Sequence, residues 1–321
     1  MRTVLIEELG GPEQLKLVNR PTPVPGPGEV LVDVAAAGVN FMDTGTRRLG
    51  PPDGRLPVAP GVEGAGRVRA LGPDVTGVAV GDRVAWVYAY GSYADQLVLP
   101  AASVVPVPED VPDEVAAGLM MQGITAHHFA TEAAPVTAGQ TVLVHAAAGG
   151  VGQKLVQLAK LAGATVIGLV SNEAKVAPVR ELGADHVLVS TGEAFTERVL
   201  ALTGGEGVHT VFDGGGATTF RASLSVLRRN GTLVYFGPLI GEVPTVNLWD
   251  LPRSIKLVYA VFQDHIPTPE ALRAVSAELF GLVRAGKLRV DIGGRYPLAE
   301  AERAHRDIES RRTTGKLLLI P

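Results

Sequence analysis

The sequence contains no cysteine. Disulfides, thiol nucleophiles and every cysteine-ligated zinc site are excluded together, while the redox compartment stays open. A long apolar run is also missing. The longest uncharged stretch, residues 133–153, is broken by Pro, Gln, His and several Gly, which does not make a membrane span. There is no basic excess: 29 Lys and Arg stand against 33 Asp and Glu, for a net charge of −4. Neither nucleic acid nor an anionic membrane surface is therefore an expected partner. The opening residues, MRTVLIEELGG, lack the apolar core of a signal peptide, and the cytoplasm is the expected location.

What is present describes a globular protein of 321 residues, 46% hydrophobic and 19% charged, long enough for two domains. The first third is β-rich. VLIEEL, EVLVDVAAAGV, GAGRVRALG, DRVAWVYAY and DQLVLP are short runs separated by PGPG, GPD and GD turns. Around Val115 the texture becomes helical, with Pro112 and Asp113 at the start. Strand and helix then alternate through TVLVHA, VGQKLVQLAKLAGA, TVIGLV, EAKVAPVRELGA and HVLV, which predicts a doubly wound parallel sheet extended by TVFDG and TLVYFG. Beyond Phe262, the spacing of Leu272, Val275, Leu279 and Leu282 predicts a long amphipathic helix. A strand, a helix and a closing strand follow.

The densest chemical signal is HAAAGGVG at 145–152. An apolar strand runs into Gly149, Gly150 and Gly152, and a helix begins at about Val151. Such a turn lets the backbone approach a pyrophosphate, which the helix N-terminus then attracts. Ala147 occupies the place of the first Gly in the usual GxGxxG pattern. At the end of the next strand an NAD enzyme would carry a carboxylate, but here stands Ser171, with Asn172 and Glu173 following and Lys175 one turn on. A hydroxyl and a cation suit the 2′-phosphate of NADPH.

With these residues in view, the sequence resembles the zinc-independent quinone oxidoreductases (zeta-crystallin type) of the medium-chain dehydrogenase/reductase superfamily. HAAAGGVG matches the cofactor turn, and GVNFMDTGTR (38–47) resembles the GxNxxD segment near the nicotinamide. GVEGAG (61–66), GDRV (81–84) and the ending RAHRDIESRRTTGKLLLIP (303–321) look like further landmarks. The resemblance spans essentially the whole chain. It implies an α/β protein: a discontinuous GroES-like catalytic domain (1–122 and 263–321) around a Rossmann-type NADPH-binding domain (123–262). Zinc-dependent members use Cys and the His of a GHE segment, where this chain has Val62 and no Cys at all, so no catalytic metal is expected.

Carried over by motif, the resemblance places Thr125 near the nicotinamide and Gly149, Gly150 and Val151 at the pyrophosphate. Ser171 and Lys175 would meet the 2′-phosphate, with Arg311 as a further candidate. Phe236 and Gly237 would line the nicotinamide, with Val261 and Phe262 nearby. Ser190 stands where many relatives carry a Tyr that helps hold the phosphate. Gln122 replaces a frequent Lys, and Gly45 and Gly50 replace aromatic residues, which implies a roomier or differently shaped substrate pocket.

Without metal or thiol, the expected chemistry is direct hydride transfer to an electrophile whose developing oxyanion needs a donor. Asn40 is the leading polar pocket residue, with fixation of its own loop as the plainer reading. Asp43 reads as structural or cofactor-orienting, and Arg47 as a possible contact to an acidic substrate. The acceptor is expected to be a quinone. Enones or enoyl thioesters are the alternative, disfavoured by the absence of a Tyr at positions 45 and 50. A catalytically idle NADPH-binding protein is the third reading. Strands near the edge of the nucleotide sheet predict a homodimer.

Overall fold

The structure, a computed structural model, describes residues 1–192, 194–237, 242 and 244–321. The chain forms two compact units. Met1–Gln122, Ile266–Gly286 and Val290–Pro321 make the first, and Gly123–His265 with Lys287–Arg289 make the second.

The first unit opens with an antiparallel hairpin, β1 (Arg2–Ile6) and β2 (Leu15–Asn19). Next come β3 (Glu29–Val39), α1 (Phe41–Leu49), β4 (Glu63–Leu71), β5 (Arg83–Val87), β6 (Gln96–Pro100), β7 (Val104–Pro106) and α2 (Asp113–His128), whose residues from Gly123 onward belong to the second unit. Val30, Val32 and Val34 alternate along β3 into a core with Val68, Val84 and Trp86. Trp86 is fully buried, and its indole N–H donates to Ser92 Oγ at 2.9 Å.

The second unit supplies the parallel sheet: β8 (Thr141–Val144), α3 (Gly150–Leu161), β9 (Thr165–Val170), α4 (Val176–Glu181), β10 (His186–Val189), α5 (Thr196–Leu202), β11 (Val208–Asp213), α6 (Ala217–Ser225), β12 (Leu227–Tyr235), β13 (Lys256–Tyr259) and α7 (Phe262–His265). Its strand order is β10-β9-β8-β11-β12-β13 with every pairing parallel, so the topological switch lies between β8 and β11. Strands buried on both faces explain the unbroken apolar runs TVLV and TVIGLV. Leu143, Ile167, Val211 and Leu233 form their shared core with Val199 and Phe220 from the helices.

The chain then returns to the first unit with α8 (Pro269–Arg284), β14 (Ile292–Pro297), α9 (Ala301–Glu309) and β15 (Lys316–Ile320). Thr268 caps α8 by accepting from Ala271 N–H at 3.2 Å, and Pro269 fits the first helical position. The buried stripe of α8 is Leu272, Ser276, Leu279 and Phe280. Val275 and Leu282, expected on that stripe, are only half-buried, because the face that packs is centred one position along. β15 inserts between β14 and β3, completing the order β14-β15-β3-β4-β5-β7, with β6 also paired to β3. A β-rich GroES-like unit and a Rossmann-type unit are thus both formed, as expected from the sequence. No described helix is long and apolar enough to cross a membrane.

Candidate functional site

The turn after β8 is built for close approach. Ala146 adopts a left-handed φ of 47°. Ala147 N–H donates to Leu169 O at 2.9 Å, and Gly149 N–H to Ala146 O at 2.8 Å. A Cβ on Gly152 would lie 2.3 Å from Ala146 O and 2.8 Å from Ala147 Cα, so only glycine lets α3 pass this close to the turn. No side chain caps α3 at Gly149, and no acidic residue sits in its first turn. Its first N–H groups and positive dipole end are therefore presented by Gly150, Val151 and Gly152, the geometry that binds phosphates.

At the carboxyl end of β9, Ser171 is exposed and Lys175 is 8% exposed. Burial pushes the Lys175 ammonium below its ordinary value, a penalty that a neighbouring dianion would oppose. Ser190 follows β10, its N–H donating to Val170 O at 3.0 Å. Its hydroxyl is buried without a hydrogen-bond partner among the described residues. Buried hydroxyls are normally paired, so an unpaired Oγ beside the end of β9 fits a ligand oxygen.

Asp213 closes β11. Its fully buried carboxylate accepts from Gly215 N–H at 2.7 Å, Thr219 Oγ1 at 2.8 Å and Ser223 Oγ at 2.7 Å. Ser223 Oγ also lies 3.0 Å from His145 Nε2. Burial holds His145 below the usual histidine value, with Asp213 opposing. Phe236 and Gly237 follow β12. Phe236 packs on Phe129 with ring centroids 4.9 Å apart, and a Cβ on Gly237 would come within 3.1 Å of Gly214 O. Val261 and Phe262 follow β13, and Thr125 is half-buried on α2. Apart from Thr125, every nominated residue of this unit thus sits at a carboxyl end of the parallel strands, where doubly wound sheets bind ligands.

The candidates of the first unit meet in a buried polar network. Lys316 Nζ donates to Glu63 Oε1 and, at 2.8 Å, to Asn40 Oδ1. Asn40 Nδ2 donates to the same Glu63 oxygen at 2.6 Å, and Glu63 Oε2 accepts from Met121 N–H at 2.7 Å. Gly38 makes room for this carboxylate, since a Cβ there would fall 2.6 Å from Glu63 Oε1. Asp43 Oδ2 reaches back to Asn40 N–H at 2.8 Å and accepts from Tyr93 Oη at 3.0 Å. Tyr93 Oη lies 3.1 Å from His305 Nε2, and His305 Nδ1 lies 2.9 Å from Arg47 Nη1.

Arg47 has only donors, so His305 Nδ1 must accept, Nε2–H must donate to Tyr93, and Tyr93 must donate to Asp43. Direction along this wire is fixed by the guanidinium. Burial raises the Asp43 carboxyl to about 7, while hydrogen bonds from Asn40 and Tyr93 and the charge of Lys316 oppose the rise. Burial, aided by Arg47, lowers His305 to about 3. Arg47 itself is fully buried, with its other nitrogens on Gly10 O at 3.0 Å and Glu309 Oε1 at 2.6 Å. It is therefore an internal tie between α1 and α9, and the contact to an acidic substrate expected from sequence does not fit a guanidinium so fully enclosed.

Comparison with known proteins places these features. The alcohol dehydrogenase GroES-like domain family matches residues 26–109, and the zinc-binding dehydrogenase family matches residues 150–277. A quinone oxidoreductase of Pseudomonas aeruginosa is 40% identical over 97% of both chains. A 2-haloacrylate reductase of a Burkholderia species is 35% identical over 99% of this chain and 98% of its own. A mycobacterial protein solved in complex with NADPH superposes with a TM-score of 0.95 at 44% identity over the whole of both chains. The chain belongs to the zinc-independent quinone-oxidoreductase-like family of the medium-chain dehydrogenase/reductase superfamily. It is an oxidoreductase.

The zinc named in one matching family does not fit this member's residues at the catalytic position. Val62 is fully buried and apolar there, and the sequence offers no thiolate anywhere. Residues that the sequence did not announce as a site include Lys316, Glu63, Tyr93 and His305. Glu63 and Lys316 lay inside two quoted landmarks, but a lone charge in a strand carries no sign of a partner 253 residues away.

Proposed function

We propose that this family member is an NADPH-dependent reductase that delivers hydride to a quinone-type acceptor without a catalytic metal, acting as a cytoplasmic homodimer. The observation that carries the cofactor choice is the unpaired, buried Ser190 hydroxyl together with the buried Lys175 ammonium at the ends of β10 and β9. Gly149, Gly150, Val151 and Gly152 would hold the pyrophosphate. Ser171, Lys175 and Ser190 would hold the 2′-phosphate. Thr125, Phe236, Gly237, Val261 and Phe262 would line the nicotinamide. When bound, NADPH supplies a hydride from its nicotinamide.

The division of labour follows the sequence expectation, with 123–262 as the nucleotide domain and 1–122 with 263–321 as the catalytic one. In the latter, Asn40 gives one amide N–H to Glu63 and has a second for a developing oxyanion. Asp43 fixes the Asn40 backbone, and Arg47 acts through His305 and Tyr93 to hold Asp43.

A second reading is reduction of an activated C=C bond. The 2-haloacrylate reductase relative favours it, as does open space at Gly45, where a Cβ would meet no heavy atom within 4 Å. One assay separates the readings. The full chain is given NADPH with 1,4-benzoquinone and naphthoquinones or with enones and enoyl-CoA, each with and without EDTA. Higher kcat/KM on quinones, unchanged by EDTA, is expected. Preference for the enones would install the second reading, and binding of NADPH with no turnover on any acceptor would overturn both.

A further inference from the structure

We propose that the second unit carries a divalent-metal site, formed by His128, Glu132 and His265, that takes a borderline first-row cation of the zinc class. The ligand atoms of these three residues all lie within 4.8 Å of one another. His128 is the last residue of α2, and Glu132 sits in the π-helical turn Phe129–Ala133 that follows it. Such wide turns are rare and cluster at functional sites. His265 ends α7 and approaches from the other side.

The polar geometry asks for a cation. Glu132 Oε2 is 2.8 Å from His265 Nδ1 and 3.3 Å from His128 Nδ1. Both nitrogens are buried, yet neither makes a properly directed hydrogen bond. Three potential ligand atoms thus cluster together, two of them buried imidazole nitrogens without a well-directed hydrogen bond. Tetrahedral zinc with bonds of about 2.0–2.1 Å holds its ligand atoms roughly 3.3 Å apart, and the two carboxylate–imidazole separations lie near that spacing. The mixture of imidazole and carboxylate also selects this class over Mg²⁺ or Ca²⁺, which prefer all-oxygen shells.

The surroundings support a built site. The two histidine side chains are 9% and 3% exposed, whereas Glu132 is 58% exposed, leaving an open side for water as a fourth ligand. His127 Nδ1 lies 2.8 Å from His265 Nε2, an outer partner of the kind that fixes the tautomer and orientation of a ligating imidazole. The His265 ring is 4.7 Å from that of His128 and 5.1 Å from that of His127. None of these residues belongs to the proposed hydride-transfer machinery, and Val62 leaves the zinc relatives' own position without a ligand.

The test is equilibrium dialysis of EDTA-stripped full-length protein against Zn²⁺, followed by Co²⁺ substitution. One zinc per chain is expected, resistant to competing Mg²⁺ and Ca²⁺, with the visible spectrum of low-coordinate Co²⁺. His265→Ala and Glu132→Gln should abolish stoichiometric binding, and His127→Asn should weaken it roughly ten- to a hundredfold. Because Glu132 is largely exposed, Glu132→Gln remains informative if His265→Ala fails to fold. Failure of wild type to take up one equivalent, or equal uptake by wild type and folded Glu132→Gln, would overturn the proposal. NADPH binding measured on the same samples reads the nucleotide site separately.

Discussion

His305 and Asp43 are two residues apart along one hydrogen-bond wire, yet their burial acts on stability in opposite directions. In the unfolded chain histidine takes up a proton below about pH 6.5, but the folded site refuses it until about pH 3. Stability therefore falls as pH drops through that window. Asp43 ionises above about pH 4 when unfolded but only near pH 7 when folded. It lowers stability as pH rises between those values. Its proton would reside on Oδ1, the carboxylate oxygen that has no hydrogen-bond partner. His305→Gln removes the first effect and retains a donor and an acceptor for Tyr93 and Arg47. Between about pH 4 and 6.5, wild type should hold a shallow Tm profile, whereas the variant's Tm should decline steadily as pH rises. Parallel profiles in a thermal-shift series would refute the assignment.

Elements with an apolar rhythm were the legible part of this fold. TVLV and TVIGLV read as buried parallel strands because both faces are covered, and the α3 glycines read as a phosphate turn. The π-helical turn at Phe129–Ala133 was not legible, since a one-residue widening leaves the apolar pattern of α2 intact. Nor was the wire from Arg47 to Asp43, whose members come from α1, α9 and the loop holding Tyr93. Pairing across such distances leaves no local periodicity to read. The site residues nominated in the nucleotide unit came from local motifs, which is why, Thr125 apart, they lie at the strand ends.

The turn and the strand ends predict two distinguishable defects in the proposed cofactor site. Lys175→Ala removes a charge-assisted contact worth about 1.5–3 kcal/mol, or roughly ten- to a hundredfold in affinity. NADPH should weaken by the lower part of that range while NADH hardly changes, and Ser171→Asp should shift preference the same way. Gly152→Ala instead drives a methyl group against Ala146 O and should weaken both dinucleotides together. Dissociation constants for NADPH and NADH across the three variants check this. Equal binding of both cofactors by wild type, or equal loss of both in Lys175→Ala, would remove the 2′-phosphate assignment.

At the scale of the whole molecule, β13 ends the parallel sheet, with no strand paired to its outer edge among the described residues. Leu257 is 38% and Tyr259 77% exposed on it, and Trp249, just upstream, is 95% exposed. A bare edge with exposed apolar side chains favours pairing with a twin across a two-fold axis. Light scattering should give twice the 33.4 kDa chain mass. Tyr259→Lys should shift the protein toward monomer, and a wild type that runs as a monomer at micromolar concentration would end the idea.

The insertion of β15 between β14 and β3 also sets a timetable for synthesis. Asn40 and Glu63 leave the ribosome early, but Lys316 is made 276 residues after Asn40. Throughout that interval β3 lacks its β15 neighbour, and Glu63 lacks the Lys316 counter-ion. The second unit, continuous from Gly123 to His265 apart from a three-residue return, can close its sheet before then. Nascent chains should therefore acquire a protease-resistant nucleotide unit first, with the first unit remaining a client for chaperones until β15 emerges.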